Sequence, residues 1–129
     1  MTTINDIVAR SLKRLRVISS EETASSQDAS DVLQALNAMM LAGRNHGFDT
    51  NWKVKVLTDD FPLDGQHEQG VVAMLAVEVS EMFGKTAGQQ LFQQSVDGRQ
   101  SLQNDYGIIE DMTLDSALIN MPSNARYYA

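Results

Sequence analysis

Apolar residues recur at helical spacing through the first 107 residues of this chain and then lose that order. In the first segment the spacing 4-7-8-11-12-15 places Ile4, Ile7, Val8, Ser11, Leu12 and Leu15 on one stripe of a helix. Three later segments repeat such a stripe, whereas residues 108–129 show no sustained period. The pattern predicts an all-α, four-helix bundle-like domain over residues 1–107 and an extended C-terminal arm over residues 108–129.

The ends of the first two predicted helices carry capping signals. Thr3 can accept hydrogen bonds from the first-turn amides of helix one, and Asp6 lies where the helix dipole favours an acid. After a loop over residues 17–24, Ser25 or Ser26 caps helix two, which should end at Gly47. The apolar face of helix two comprises Val32, Leu33, Leu36, Met39, Met40 and Gly43.

The segment 48–65 changes from helical to alternating periodicity. Trp52, Val54 and Val56 alternate with lysines, and Phe61 follows a turn, which predicts a short extended hairpin or loop. A two-stranded hairpin is marginal in water unless it packs on something. Two alternatives stay open: the loop projects and contacts another subunit through Trp52, Val54, Val56 and Phe61, or it folds back on its own helices.

Helices three and four are predicted between Asp64 and Gly107. Helix three begins at Asp64, and its wide apolar face comprises Val71, Val72, Leu75, Val79, Met82 and Phe83. It should end at Gly84, and Thr86 and Gln89 have the spacing of a capping box for helix four. The thin stripe of helix four comprises Leu91, Phe92, Ser95, Arg99 and Leu102. Its glycines Gly88 and Gly98 weaken the helix but allow a neighbouring helix to approach closely.

The predicted arm holds nine large apolar side chains but no pattern on which to fold alone. Ordering a chain costs on the order of 1–2 kcal/mol per residue, so such a segment requires a groove that buries it well. We therefore expect the arm to fold on a partner. Its candidate docking residues are Ile108, Ile109, Leu114, Leu118, Ile119, Tyr127 and Tyr128.

Charge is distributed unevenly along the chain. The 17 acidic and 10 basic residues give a net charge of −7, which disfavours nonspecific wrapping of nucleic acid. Residues 1–16 nevertheless carry four basic residues against one acid, and residues 105–129 carry four acids against one arginine. Opposite ends can attract across a subunit boundary, or both can be solvated faces. The basic face of helix one comprises Arg10, Lys13 and Arg14.

The sequence offers little catalytic chemistry, and we expect neither an enzyme nor a cofactor. The absence of cysteine excludes disulfides, thiolate metal sites and a cysteine nucleophile. His46 suits a helix-capping position, and His67 has no triad spacing to a nucleophile, so no catalytic residue and no metal ligand is predicted. Glu78 and Glu81 form the only carboxylate pair on a predicted helix worth testing as an acid and base. No phosphate-binding glycine motif occurs, and no apolar run is long enough to span a membrane.

Two helix motifs resemble a known family. Residues 4–18, INDIVARSLKRLRVI, are similar to the first helix of tailed-phage head-to-tail connector proteins, the head-completion or tail-accessory-factor family. Residues 31–41, DVLQALNAMML, resemble the second helix of that family. The resemblance covers about residues 3–106, with helices three and four matching in length and apolar spacing. Arg16 departs from the pattern, because the family often has glycine before Val17.

The resemblance implies a structural protein of the virion neck, made in the cytoplasm of the bacterial host. Such a subunit forms a homo-oligomeric ring, often of twelve copies, beneath the portal protein, completes the DNA-filled head and receives a downstream tail protein. It extends the DNA channel and lies near packaged DNA without specific contacts, and no membrane is involved. In that setting the arm 108–129 docks on the portal, and the loop meets a neighbouring copy or the tail.

Two other functions remain as alternatives. One is a small cell-wall hydrolase that uses Glu78 or Glu81. The other is a helical DNA-binding regulator that uses Arg10, Lys13 and Arg14, although no aromatic residue interleaves these basic side chains.

Overall fold

The protein is all-α, with four helices arranged as a bundle-like domain. The computed structural model describes residues 2–19 and 21–108. The α-helices are α1 (Ile4–Arg14), α2 (Ser26–Leu41), α3 (Glu68–Val79) and α4 (Gln89–Tyr106). Short 3₁₀ turns span Ala42–His46, Gly65–His67 and Glu81–Phe83. Within the described ranges, no helix has the length and hydropathy to cross a membrane.

Helix α3 is the centre of the bundle and contacts each of the other three helices. Its residues 71–76 are all buried, so this helix is apolar around its whole circumference. The predicted stripe of α1 is buried on one side of it, and Val32, Leu36 and Met40 of α2 are buried on another. These positions confirm the apolar faces read from the sequence for α1 and α2.

The helix ends bear out most of the predicted caps. Thr3 and Asp6 form a complete capping box at α1, and the Ser25 side chain caps α2. Gly47 adopts a left-handed conformation with φ of 87° after the 3₁₀ turn that extends α2. Gly84 does the same after the turn that follows α3, with φ of 64°.

Two predicted features of the third and fourth helices are wrong. α3 ends at Val79, so Met82 lies in the following 3₁₀ turn and is 53% exposed. α4 begins only at Gln89, with Gly88 as its N-cap and no capping side chain, so Thr86 and Gln89 form no capping box. The 3₁₀ turn Glu81–Phe83 and the later start of α4 change which residues face the bundle.

The buried stripe of α4 comprises Leu91, Ser95, Gly98 and Leu102, while Phe92 is 55% exposed and Arg99 is exposed. Close approach at a small residue is confirmed. Gly98 lies against Gly70 of α3, and a Cβ added at Gly98 would stand 2.6 Å from the Cα of Gly70. The two helices therefore cross with their backbones nearly touching.

Candidate functional site

The loop over residues 48–65 folds back on the helical domain and forms no strand among the described residues. Instead it pairs with the start of the chain. The amide of Ile4 donates to the Asp59 carbonyl at 2.8 Å, and the amide of Asn5 donates to the Leu57 carbonyl at 3.0 Å. These amides belong to the first turn of α1 and have no partner within the helix, so the loop completes the cap of α1.

Asn37 of α2 attaches the middle of the loop to the bundle. Its Oδ1 accepts from the Trp52 indole Nε1 at 3.0 Å and from the Lys55 amide at 2.9 Å. Its Nδ2 donates to the Lys55 carbonyl at 3.0 Å. The Trp52 ring packs edge-on against Phe61, with ring centroids 6.5 Å apart. One side chain thus fixes both the backbone and the aromatic anchor of the loop.

This attachment divides the four predicted contact residues into two pairs. Trp52 and Phe61 are each 7% exposed and belong to the core of the domain. Val54 is 70% exposed and Val56 is 55% exposed. The period-two pattern predicted one common side for Trp52, Val54 and Val56, which is wrong because no neighbouring strand holds the segment flat. Of the four predicted contact residues, only the two valines expose their apolar side chains to solvent.

The predicted basic face of α1 is also divided. Arg10 forms an ion pair with Glu68 of α3, with Nη1 and Oε1 3.0 Å apart. Arg14 points toward α4 and donates from Nη2 to the side-chain oxygen of Gln94. Lys13 is exposed and belongs to no ion pair among the described residues. Arg10 and Arg14 therefore bind side chains of two different helices, while Lys13 is exposed to solvent.

A cationic cleft lies where α1 ends beside the start of α4. It has a volume of about 390 Å³, and Arg14, Arg16 and Lys85 line it together with the polar side chains of Thr86 and Gln90. Its described lining contains no acidic residue. Arg16 adopts a left-handed backbone conformation with φ of 61°, which is uncommon for a residue other than glycine. The sequence signal was Arg16 itself, which replaces the glycine often found at this position in the resembled family.

A buried polar cluster joins the start of α3 to the end of α4. His67 is 2% exposed, and its Nε2 lies 2.8 Å from Oδ2 of Asp105. Gln66 donates to the same oxygen at 2.8 Å. The Tyr106 ring lies 5.4 Å from the His67 ring, and desolvation, then Asp64 and Asp105, raise the pKa of the Tyr106 hydroxyl. The sequence carries no sign of this cluster because its two halves, Gln66 with His67 and Asp105 with Tyr106, lie 38 or more residues apart.

The cluster opens onto a cleft of about 480 Å³ that Ser101 also lines. A Ser-His-Asp mechanism requires a hydrogen bond between the hydroxyl and the imidazole. Among the described residues no hydrogen bond joins Ser101 to His67. Glu78 and Glu81 lie on exposed positions, the first on α3 and the second in the next turn. The described part of the chain contains no group of three or more potential metal ligands.

The arm begins at a fixed point of the domain. Gly107 pairs with Phe48 in an isolated antiparallel bridge, and the Ile108 amide donates to the Gly47 carbonyl at 3.3 Å. Ile108 is half-buried there. The other predicted docking residues lie outside the described residues; they are Ile109, Leu114, Leu118, Ile119, Tyr127 and Tyr128.

The chain matches no family model, and no curated protein matches it.

Proposed function

We propose that this protein is a structural adaptor of the virion neck of a tailed phage. In this role, copies form a ring beneath the portal, complete the filled head and provide the platform for tail attachment. The proposal starts from the resemblance of residues 4–18 and 31–41 to connector proteins. Most of the first motif and all of the second lie in α1 and α2, where most of their large apolar side chains belong to the core, although Leu41 is 50% exposed.

The single observation that carries the proposal is the presentation of Val54 and Val56 on a fixed loop. Exposed valines scattered on a surface are ordinary. Here, however, the backbone is attached between the two valines, by Asn37 at Lys55, and again after Val56, by the start of α1 at Leu57 and Asp59. A contact surface that is already ordered loses little entropy on binding, which favours association with a partner.

The second part of the proposal concerns the arm. Residues 108–129 would dock on the portal, starting from the anchored Ile108. The side chains of Leu118 and Ile119 are the apolar pair in the middle of this segment, so they provide a test that keeps the chain at full length. Replacing both with aspartate should remove portal binding while the helical domain keeps its circular dichroism spectrum and melting temperature.

The loop is tested by its own matched pair of variants. Val54→Asp combined with Val56→Asp should abolish formation of the ring-bearing portal complex, measured by co-sedimentation with purified portal and by electron microscopy. Thr58→Asp introduces a charge at an exposed polar position of the same loop and should leave assembly intact. Because all three positions are exposed, each change should alter the free energy of unfolding by no more than about 0.5 kcal/mol.

One outcome would contradict part of this proposal, and two others would favour a different function. Undiminished portal binding by the Leu118→Asp, Ile119→Asp variant would refute the docking role of the arm. Clearing in a cell-wall zymogram that disappears with Glu78→Gln would identify a hydrolase. Sequence-dependent retardation of short duplexes at physiological salt would identify a DNA-binding regulator.

A further inference from the structure

None of the three basic side chains that line the cationic cleft forms an ion pair with a described residue. The ion pairs among residues 2–19 and 21–108 involve Arg10, Arg44 and His67, but not Arg14, Arg16 or Lys85. The hydrogen-bond partner of Arg14 is the neutral amide of Gln94. Like charges around one cleft repel each other, so an anionic group bound among them would be stabilised.

The backbone of the cleft is held in place at both basic turns. The Arg16 amide donates to the Lys13 carbonyl at 3.0 Å, and the Lys85 amide donates to the Ser80 carbonyl at 2.9 Å. A left-handed conformation costs a residue with a Cβ on the order of 1–2 kcal/mol, and glycine would avoid this cost. Arginine at this position therefore retains a charge at the expense of stability, which is typical of functional sites.

The chain itself contains a complementary segment. Residues 110–115 read Glu-Asp-Met-Thr-Leu-Asp, with three acids and no base within six positions. They come directly after Ile108, which is anchored at the C-terminal end of α4 beside Gly47. The cleft lies at the other end of α4, where Gly88 and Gln90 line it.

The length of α4 separates these two places within one molecule. Its 18 residues span roughly 27 Å at 1.5 Å per residue. Glu110 lies two residues beyond Ile108 and reaches at most about 7 Å, and Asp111 reaches about 10 Å. Asp115 spans this distance only if the intervening chain is fully extended along α4, at about 25 Å. Glu110 and Asp111 therefore cannot reach the cleft of their own chain, whereas the same segment of a second copy is free of this restriction.

We propose that the cleft of Arg14, Arg16 and Lys85 receives the acidic side chains of segment 110–115 of a second copy of this chain, while the apolar side chains further along the arm, from Leu118 to Tyr128, remain for the portal. The C-terminal end of α4 in one copy then lies next to the N-terminal end of α4 in the following copy. This contact joins two different surfaces, and repetition of such a contact closes into a ring when the rotation per copy permits. The inference rests on the proposed function in taking copies to assemble side by side, and it names the contact that joins them.

A charge exchange tests this contact in full-length protein. Arg16→Glu with Lys85→Glu reverses the cleft, and Glu110→Lys with Asp111→Lys reverses the segment. Self-association is measured by sedimentation velocity at about 0.05 M and about 0.5 M NaCl, since exposed charge pairs are screened as salt rises. Each reversed protein should self-associate at least about tenfold more weakly than the unmodified protein at low salt.

An equimolar mixture of the two reversed proteins should recover association, because each then offers the charge that the other lacks. Lys13→Glu with Arg99→Glu is the matched control, since it makes the same change in net charge at exposed positions outside both the cleft and the loop over residues 48–65 and should associate like the unmodified protein. Unchanged melting temperatures establish that the variants are folded.

Three results would overturn the contact: no salt-sensitive self-association of the unmodified protein, equal weakening by the control pair, or failure of the mixture to recover. Loss of duplex-DNA binding on cleft reversal without any effect on self-association would assign the cleft to phosphates and would also overturn it. Portal binding is measured separately. If portal binding persists while the charge exchange fails, the adaptor proposal stands and only the proposed contact between copies is wrong. If the charge exchange succeeds but the protein does not bind portal, the contact between copies stands and the adaptor proposal is wrong.

Discussion

The crossing of α3 and α4 at Gly70 and Gly98 provides the sharpest test of how this fold is held together. In Gly98→Ala, the new Cβ would lie 2.6 Å from the Cα and 2.8 Å from the carbonyl oxygen of Gly70. Both are backbone atoms, so no side-chain rotation relieves the overlap. Ordinary carbon contacts are about 3.5–4.0 Å, so the helices must separate by roughly 1 Å at this point.

Two opposing effects determine how much Gly98→Ala changes the free energy of unfolding. Overpacking of this kind costs about 1–3 kcal/mol, and rigid backbone atoms on the opposite side place this site at the upper end. Alanine is a better helix former than glycine by about 1 kcal/mol, which offsets part of the loss. The net destabilisation should be about 2 kcal/mol, equivalent to a fall in the melting temperature of roughly 8 °C for a domain of this size.

Urea unfolding followed by far-ultraviolet circular dichroism measures this difference. Gly88→Ala is the matched control, because a Cβ there meets no atom within 4 Å and the change of residue is identical. Because Gly88 is the N-cap of α4, where glycine is preferred over alanine, this variant should lose only about 0.5–1 kcal/mol. If Gly98→Ala is as stable as the control, the close crossing does not constrain α3 and α4, and the account of their packing is wrong.

Three further predictions concern the loop, the buried cluster and the cleft. Asn37→Ala should lower the free energy of unfolding by about 2–3 kcal/mol, because three hydrogen bonds to the loop disappear. The fluorescence of Trp52 should shift to longer wavelength, and an unshifted spectrum would contradict the anchoring role of Asn37. The raised pKa of Tyr106 means that the folded state favours the neutral phenol more than the unfolded state does. The neutral Tyr106 hydroxyl therefore contributes fully to stability below pH 10, and this contribution is lost as pH rises through the folded pKa. Tyr106→Phe should reduce that alkaline loss, and identical pH profiles of unfolding for the two proteins would refute it. Arg16→Gly should raise stability by about 0.5–1 kcal/mol through relief of the left-handed strain, net of the greater chain entropy of glycine, while weakening self-association.

The apolar faces and the ends of α1 and α2 could be predicted from the sequence because both depend on residues close together in the chain. Thr3 and Asp6 cap α1 within four residues of chain, and Gly47 alone supplies the left-handed turn at the end of the second helical segment. Such signals act between near neighbours. The predicted start of α4 was wrong because it too depended on local spacing. Thr86 and Gln89 fit the spacing of a capping box, but the Lys85 amide is bound to the Ser80 carbonyl and α4 begins only at Gln89.

The candidate sites could be predicted only in part. The sequence predicted Val54 and Val56 as contact residues, and it showed Arg16 as a departure from the resembled family. It could not separate these valines from Trp52 and Phe61, because that division depends on the three hydrogen bonds of Asn37, which lies 15 residues away from Trp52. Nor could it group Arg16 with Lys85, which lie 69 positions apart and meet only because α1 ends beside the start of α4.

The sequence by itself determined four helices, the apolar stripes of α1 and α2, most of the caps and the uneven placement of charge, since each depends on residues within a few positions of one another. Tertiary structure alone decided that the loop completes α1, that His67 is buried against Asp105, and that three cations surround one cleft. These features join residues distant in the chain. Their positions depend on how closely whole helices approach, which at α3 and α4 is set by the two facing glycines.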